Sequence, residues 1–160
     1  NVSSMAHKRG SMDFDNLMFE QGNYNPMKAY GRSKLANLLF TYELQRKLEQ
    51  HKLGIIVVAA HPGVSSTNLF KHLEKKLISK ILKPFLMNVI AQPADIGALP
   101  EIRASVDSKV KGSEYYGPDG AREMKGYPVI VKSNEASHSK EDAKKLWEIS
   151  EKLTKVKYVF

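Results

Sequence analysis

An amphipathic helix that hands over, through one glycine, to an unbroken β-branched run narrows what this chain can fold into. Leu35, Leu38, Leu39 and Tyr42 recur at i, i+3, i+4 and i+7, the apolar stripe of a helix packed on one side. Asn25-Pro26 supplies its start. Asparagine can cap the free N–H groups, and proline at the first helical position forfeits no needed donor. The stripe predicts a helix from there to about His51, ended by Gly54. Ile55-Ile56-Val57-Val58-Ala59-Ala60 follows and predicts a short strand buried on both faces, as parallel sheets between helices require. Helix, glycine, buried strand is one half-turn of an α/β winding.

The remaining segments extend that pattern. Residues 1–3 are expected to end a strand, with a polar loop from there to Asn25. Thr67 to about Met87 reads as a basic amphipathic helix, with Leu73, Leu77, Ile78, Ile81, Leu82 and Phe85 on one side and lysines around the rest. A further helix is expected from Pro93 to about Val106, broken or kinked at Pro100. Glu114-Tyr115-Tyr116 predicts a strand closed by Gly117-Pro118-Asp119-Gly120, and Pro128 to Val131 is extended. Ser139 with Asp142 starts a last helix in capping-box fashion, buried through Ala143, Leu146, Trp147 and Leu153. No internal repeat or low-complexity tract interrupts the 160 residues, and one domain over 1–160 accounts for them.

Composition closes off some functions. Hydrophobic residues at 42% and charged residues at 26% suit a soluble globular chain. With no cysteine, disulfides and thiolate metal sites are excluded, and a reducing, cytoplasmic setting is the expectation. A net charge of +8 raises the question of an anionic partner. The basic residues lack aromatic interleaving and any nucleic-acid-binding signature, so no nucleic acid is expected. For the helix from Thr67, a solvated lysine face is the first reading. Apolar residues lining a substrate pocket are the second, and contact with an anionic membrane surface the third. Association into a homo-oligomer is left open. The chain has no run of about 20 apolar residues, so no spanning helix is expected.

Two Tyr-x-x-x-Lys pairs occur, Tyr24…Lys28 and Tyr30…Lys34, and chance placement alone gives about one. Context separates them. The residue before a proline is pushed away from helical geometry, which leaves Tyr24 outside the helix and Lys28 inside. Tyr30 and Lys34 both lie inside, one turn apart on one face. An ammonium so placed favours the phenolate, and a tyrosine that ordinarily titrates near pH 10 becomes a more competent proton donor and acceptor.

Asn1-Val2-Ser3-Ser4, Tyr30-Gly31-Arg32-Ser33-Lys34 and His61-Pro62-Gly63-Val64…Thr67 occur in an order that resembles the short-chain dehydrogenases/reductases. Ser33-Lys34-Leu35-Ala36-Asn37 and the longer gap between Ser4 and Tyr30 look like the branch of retinol dehydrogenases and protochlorophyllide reductases. The resemblance implies an α/β fold, the C-terminal part of a Rossmann-type doubly wound parallel sheet. It also implies an NAD(P)-dependent exchange between an alcohol and a carbonyl. By that resemblance Tyr30 would be the general acid or base. Lys34 would assist it and hold the nicotinamide ribose. Ser4, with Ser3 as the alternative, would steady the substrate oxygen. Tyr30, Lys34, Pro62, Gly63, Val64 and Thr67 would contact the cofactor, NADP or else NAD. The substrate would be a lipophilic alcohol, aldehyde or ketone.

The family's glycine-rich dinucleotide turn finds no match among the glycines. The segment therefore reads as a partial domain lacking the N-terminal glycine-rich half, and by itself is not expected to be active. A non-catalytic nucleotide-binding or scaffold module that retained the motifs is the rival reading. A Ser4–His61 hydrolase is disfavoured, because no Gly-x-Ser-x-Gly elbow exists and no acidic partner for His61 is evident. No histidine shows metal-ligand spacing, and no metal is expected.

Overall fold

The computed structural model describes residues 1–65 and 91–160. Helix α1 spans Pro26–Gln50, as its cap and stripe require, with Asn25 Oδ1 accepting from the N–H groups of Met27 and Lys28 at 3.0 Å. It ends differently from expectation. Lys52, at φ 55°, takes the left-handed position, and the Leu53 N–H reaches back to the Leu48 carbonyl at 2.9 Å. That closes the last turn two residues before Gly54.

Strand β1 is only Ala59–Ala60. The expected six-residue buried run is corrected: Ile55 and Ile56 are 58% and 52% exposed. The cause is lack of neighbours. Ahead of Ala59, the chain meets only isolated bonds among the described residues, from Val57 N–H to Gln45 Oε1, from Ser113 N–H to the Val57 carbonyl and from the Asn1 ammonium to the Val58 carbonyl. Two-sided burial needs a strand on each flank.

Strand β2, Tyr115–Pro118, pairs parallel with β1, and β3, Pro128–Ile130, pairs antiparallel with β2. Val2 bridges in parallel to Ala60 on the other flank, so residues 1–3 do end beside the sheet as read. The expected parallel sheet thus carries an antiparallel edge, and the class is α/β.

Successive side chains of β2 point to opposite faces. Tyr115 packs with Leu38 and Tyr42 of α1, whereas the Arg103 guanidinium lies over the Tyr116 ring, 5.3 Å from its centroid. Arg103 belongs to the second piece of a broken helix, α2 at Ala94–Gly97 and α3 at Leu99–Val106. The break falls at Ala98, just ahead of Pro100, as expected. The sheet is therefore covered on both faces by helices.

Helix α4, Lys140–Thr154, starts at Ser139, whose Oγ accepts from the Asp142 N–H at 3.1 Å. Ala143 and Leu146 close a core with Leu35 and Leu39. Leu153 is corrected from buried to 59% exposed. The chain turns back after Lys155, and Tyr158 comes to rest 5.1 Å from Trp147, ring to ring. Cover therefore reaches the Trp147 side of α4 and leaves Leu153 open. The basic helix read from Thr67 to Met87 lies outside the described residues. Among the described residues, no helix is long and apolar enough to cross a membrane.

Candidate active site

Where a polar loop was expected after Ser4, the chain turns immediately into a short 3-10 helix, Met5–Arg9, capped by Ser4 Oγ accepting from the Ala6 N–H at 3.2 Å. Small residues set this helix hard against α1. A Cβ on Gly10 would run into the Gly31 carbonyl, and one on Gly31 would press on the Ala6 carbonyl. The glycine inside Tyr-Gly-Arg-Ser-Lys thus brings the Ser4 arm close to Tyr30.

The two serines diverge. Ser3 is buried, and its hydroxyl donates to the Lys34 carbonyl at 2.9 Å. Ser4 Oγ only accepts from its cap, so its hydroxyl hydrogen is uncommitted among the described residues. Lys34 Nζ lies 5.6 Å from the Tyr30 ring centroid and donates to the Val2 carbonyl at 3.3 Å. The same carbonyl accepts from Asn37 Nδ2 at 2.8 Å. The end of the first extended segment is therefore pinned to the face of α1 that carries the Tyr–Lys pair. The rival pair does not form a unit: Tyr24 is 64% exposed, ahead of α1, with its ring edge-on to Phe19.

Ser4, Tyr30, Lys34, Pro62, Gly63 and Val64 line one largely apolar cavity of about 530 Å³. It sits past the carboxyl end of β1, where α/β sheets place ligands. Six of the seven sequence-chosen site residues are brought together there; the seventh, Thr67, lies outside the described residues. Gly63, at φ 66°, turns the chain where a Cβ would meet the Met124 carbonyl. Val64 presents its side chain only. Its N–H donates to the Met124 carbonyl at 2.6 Å and its carbonyl accepts from the Gln92 N–H at 2.9 Å.

Sequence reasoning missed the residues that brace these walls. Arg32 is buried and donates to the carbonyls of Ser11, Asn16 and Leu17, while its guanidinium covers the Phe19 ring at 3.9 Å. Gln92 donates from Nε2 to the Pro62 carbonyl and accepts at Oε1 from the Gly126 N–H, both at 2.9 Å. His7, fully buried, binds the Ser4 carbonyl through Nδ1 at 2.6 Å and accepts from the Asn134 N–H at Nε2. That fixes a neutral ring with its proton on Nδ1, and burial lowers its pKa from the ordinary value.

His61 does have an acidic partner, contrary to expectation: Glu123 Oε2 lies 3.2 Å from its Nε2. The Gly63 N–H donates to Nδ1 at 3.2 Å, so the ring is neutral with its proton on Nε2. Burial drives its pKa down to about 4, against an opposing pull from Glu123. No periodicity marks Glu123, 62 residues away in sequence.

Helices on both faces of a mainly parallel sheet, with a Ser, Tyr-x-x-x-Lys and Pro-Gly wall at its carboxyl end, define an α/β chain of the Rossmann kind. No family model matches the chain. It is 36% identical over 152 residues to retinol dehydrogenase 14 of Homo sapiens, across 94% of this chain and 42% of that protein. It is 32% identical over 155 residues to dehydrogenase/reductase SDR family member 13 of Bos taurus, across 95% of this chain and 38% of that protein. A crystal structure of an uncharacterized protein from Mycobacterium paratuberculosis superposes with a TM-score of 0.76 at 33% identity, over 99% of this chain and 50% of that one. The chain belongs to the short-chain dehydrogenase/reductase family, on its retinol-dehydrogenase-like side. It spans about two fifths of the length of the curated relatives it matches.

Proposed function

We propose that this chain carries the proton-handling wall of an NAD(P)-dependent oxidoreductase that interconverts a lipophilic alcohol with its aldehyde or ketone. The observation behind this reading is the convergence of Ser4, Tyr30 and Lys34 on one cavity with Pro62 and Gly63. The walls suit a nicotinamide and its ribose. They are largely apolar, they carry one ammonium and the Glu101 carboxylate, and the Gly63 turn has no Cβ to obstruct approach. By the family resemblance Lys34 would hold the ribose hydroxyls, with Pro62, Gly63 and Val64 behind the ring and Thr67 joining them. When bound, the nicotinamide supplies or accepts the hydride.

The chain's own groups then manage the proton. In reduction, the Tyr30 hydroxyl donates to the carbonyl oxygen; in oxidation, the phenolate takes the alcohol's proton. Lys34 sets a positive charge beside the ring, opposing the charge left when the proton departs. The uncommitted Ser4 hydroxyl donates to the same substrate oxygen and steadies it as charge develops. Ser3, buried and donating to the Lys34 carbonyl, positions the helix. Met5, Ala6, Met27 and Ala98 give the cavity an apolar wall, in keeping with a lipophilic substrate. The retinol dehydrogenases among its relatives point the same way.

The test is isotopic. The intact protein is given a long-chain aldehyde with NADPH, then NADH, deuterated at the nicotinamide C4. Deuterium on the carbinol carbon from one face of the nicotinamide is the expected result. Nucleotide binding without label transfer would instead support a scaffold module.

A further inference from the structure

Glu123 does not line the cavity, yet each of its carboxylate oxygens holds one of the cavity's two arms. Oε1 takes Lys8 Nζ at 2.7 Å, and Lys8 lies in the short helix that Ser4 caps. Oε2 takes His61 Nε2 at 3.2 Å, and His61 immediately precedes Pro62-Gly63. The contact is not an ordinary surface pair. The His61 ring is 1% exposed and the Glu123 side chain 22%, so one end of the bridge is anchored in the core.

The backbone around Glu123 is shaped for this reach. Arg122 and Glu123 are consecutive non-glycine residues at φ 54° and 57°, a region that side-chain-bearing residues seldom enter. That twist brings the Met124 carbonyl onto the Val64 N–H at 2.6 Å, directly behind the Gly63 turn. Side chain and main chain of one short segment therefore grip the same loop, and the side chain alone reaches across to the Ser4 arm.

We infer that Glu123 is a positioning residue, a clamp that fixes the Ser4 arm relative to the Pro62–Ser65 turn. This rests on the proposed reaction, because its value lies in holding Ser4 and the nicotinamide-facing turn in register. Both His61 nitrogens are committed, Nδ1 to the Gly63 N–H and Nε2 to Glu123. The ring cannot change tautomer to suit a new partner without losing the glycine bond.

That commitment makes Glu123→Gln a sharp probe. An amide has one acceptor oxygen where the carboxylate has two, so Lys8 or His61 must be released while volume is preserved. In the intact protein, kcat for aldehyde reduction is expected to fall at least tenfold, with KM changed less than threefold and Tm within a few degrees. Lys8→Met should lower kcat in the same sense, and the double variant should be no worse than the poorer single one. Amide hydrogen exchange of the Pro62–Ser65 peptide supplies a readout independent of turnover, and it should speed up in Glu123→Gln. Unchanged exchange, kcat per folded molecule within twofold of the parent, or strictly additive losses would each overturn the clamp. A parent protein without turnover would strike the proposed reaction instead, and the exchange result would still decide the clamp.

Discussion

On one side of the cavity, Tyr30 and Lys34 ride a 25-residue helix whose packing repeats every turn. On the other, Pro62, Gly63 and Val64 lie in a turn held by bonds to Met124, Gln92 and Ser65. The first wall is stiff because many equivalent contacts share the load: Leu35, Leu38 and Leu39 are each almost wholly buried. The second is fixed by a few polar bonds. Redundant apolar packing tolerates change, and sparse polar bracing does not.

Arg32 and Gly63 sharpen the contrast, one for each wall. Arg32→Ala strips bonds from three carbonyls and uncovers Phe19. Hydrogen bonds from a charged donor are worth about 1.5–3 kcal/mol each, not fully additive, so a loss of about 3 kcal/mol is expected in urea unfolding. The damage should stay in the loop ahead of α1, leaving nucleotide affinity within a few-fold. Gly63→Ala should cost less stability, about 2 kcal/mol from the positive φ and the collision with the Met124 carbonyl. It should nevertheless weaken nucleotide affinity more than Arg32→Ala does. The opposite ranking on nucleotide affinity would break the comparison.

Acid should loosen the second wall first. His61 is neutral in the native state with its pKa near 4, against 6.5 for the free side chain. Above about pH 6.5 the ring is neutral folded or unfolded, and its contribution is constant. As pH falls from 6.5 toward 4 only the unfolded chain gains the proton, so stability declines by about 1.4 kcal/mol per unit from this residue. His7 shifts in the same direction and adds to the loss. By pH 5 a drop of about 2 kcal/mol is expected from His61 alone. A His61→Asn variant measured in urea at both pH values should flatten that slope, and an unchanged slope would contradict the assignment.

What could be foreseen from the residues divides along the same line. The α1 stripe, the Asn25 and Ser139 caps and the break before Pro100 were legible because each is written within a turn or two of chain. The choice of Tyr30…Lys34 over Tyr24…Lys28 followed from one proline, and in the structure Tyr24 stands ahead of α1 while Tyr30 and Lys34 lie within it. The run Ile55–Ala60 misled because β-branched composition reports a preference for sheet without reporting whether neighbouring strands are present. Arg32, Gln92 and Glu123 carried no local sign. Their partners stand 15 to 115 residues away, and only the folded chain brings them together. His61 looked unpartnered for the same reason.

The most direct measurement is single-turnover carbonyl reduction by the intact protein with Tyr30 replaced by phenylalanine. The ring and its packing are kept, and only the exchangeable proton is lost. The expected result is a rate lowered by at least about a hundredfold, the usual scale for removing a general acid, with nucleotide affinity within threefold of the parent. A rate within twofold of the parent, at equal nucleotide occupancy, would contradict the claim that Tyr30 handles the proton.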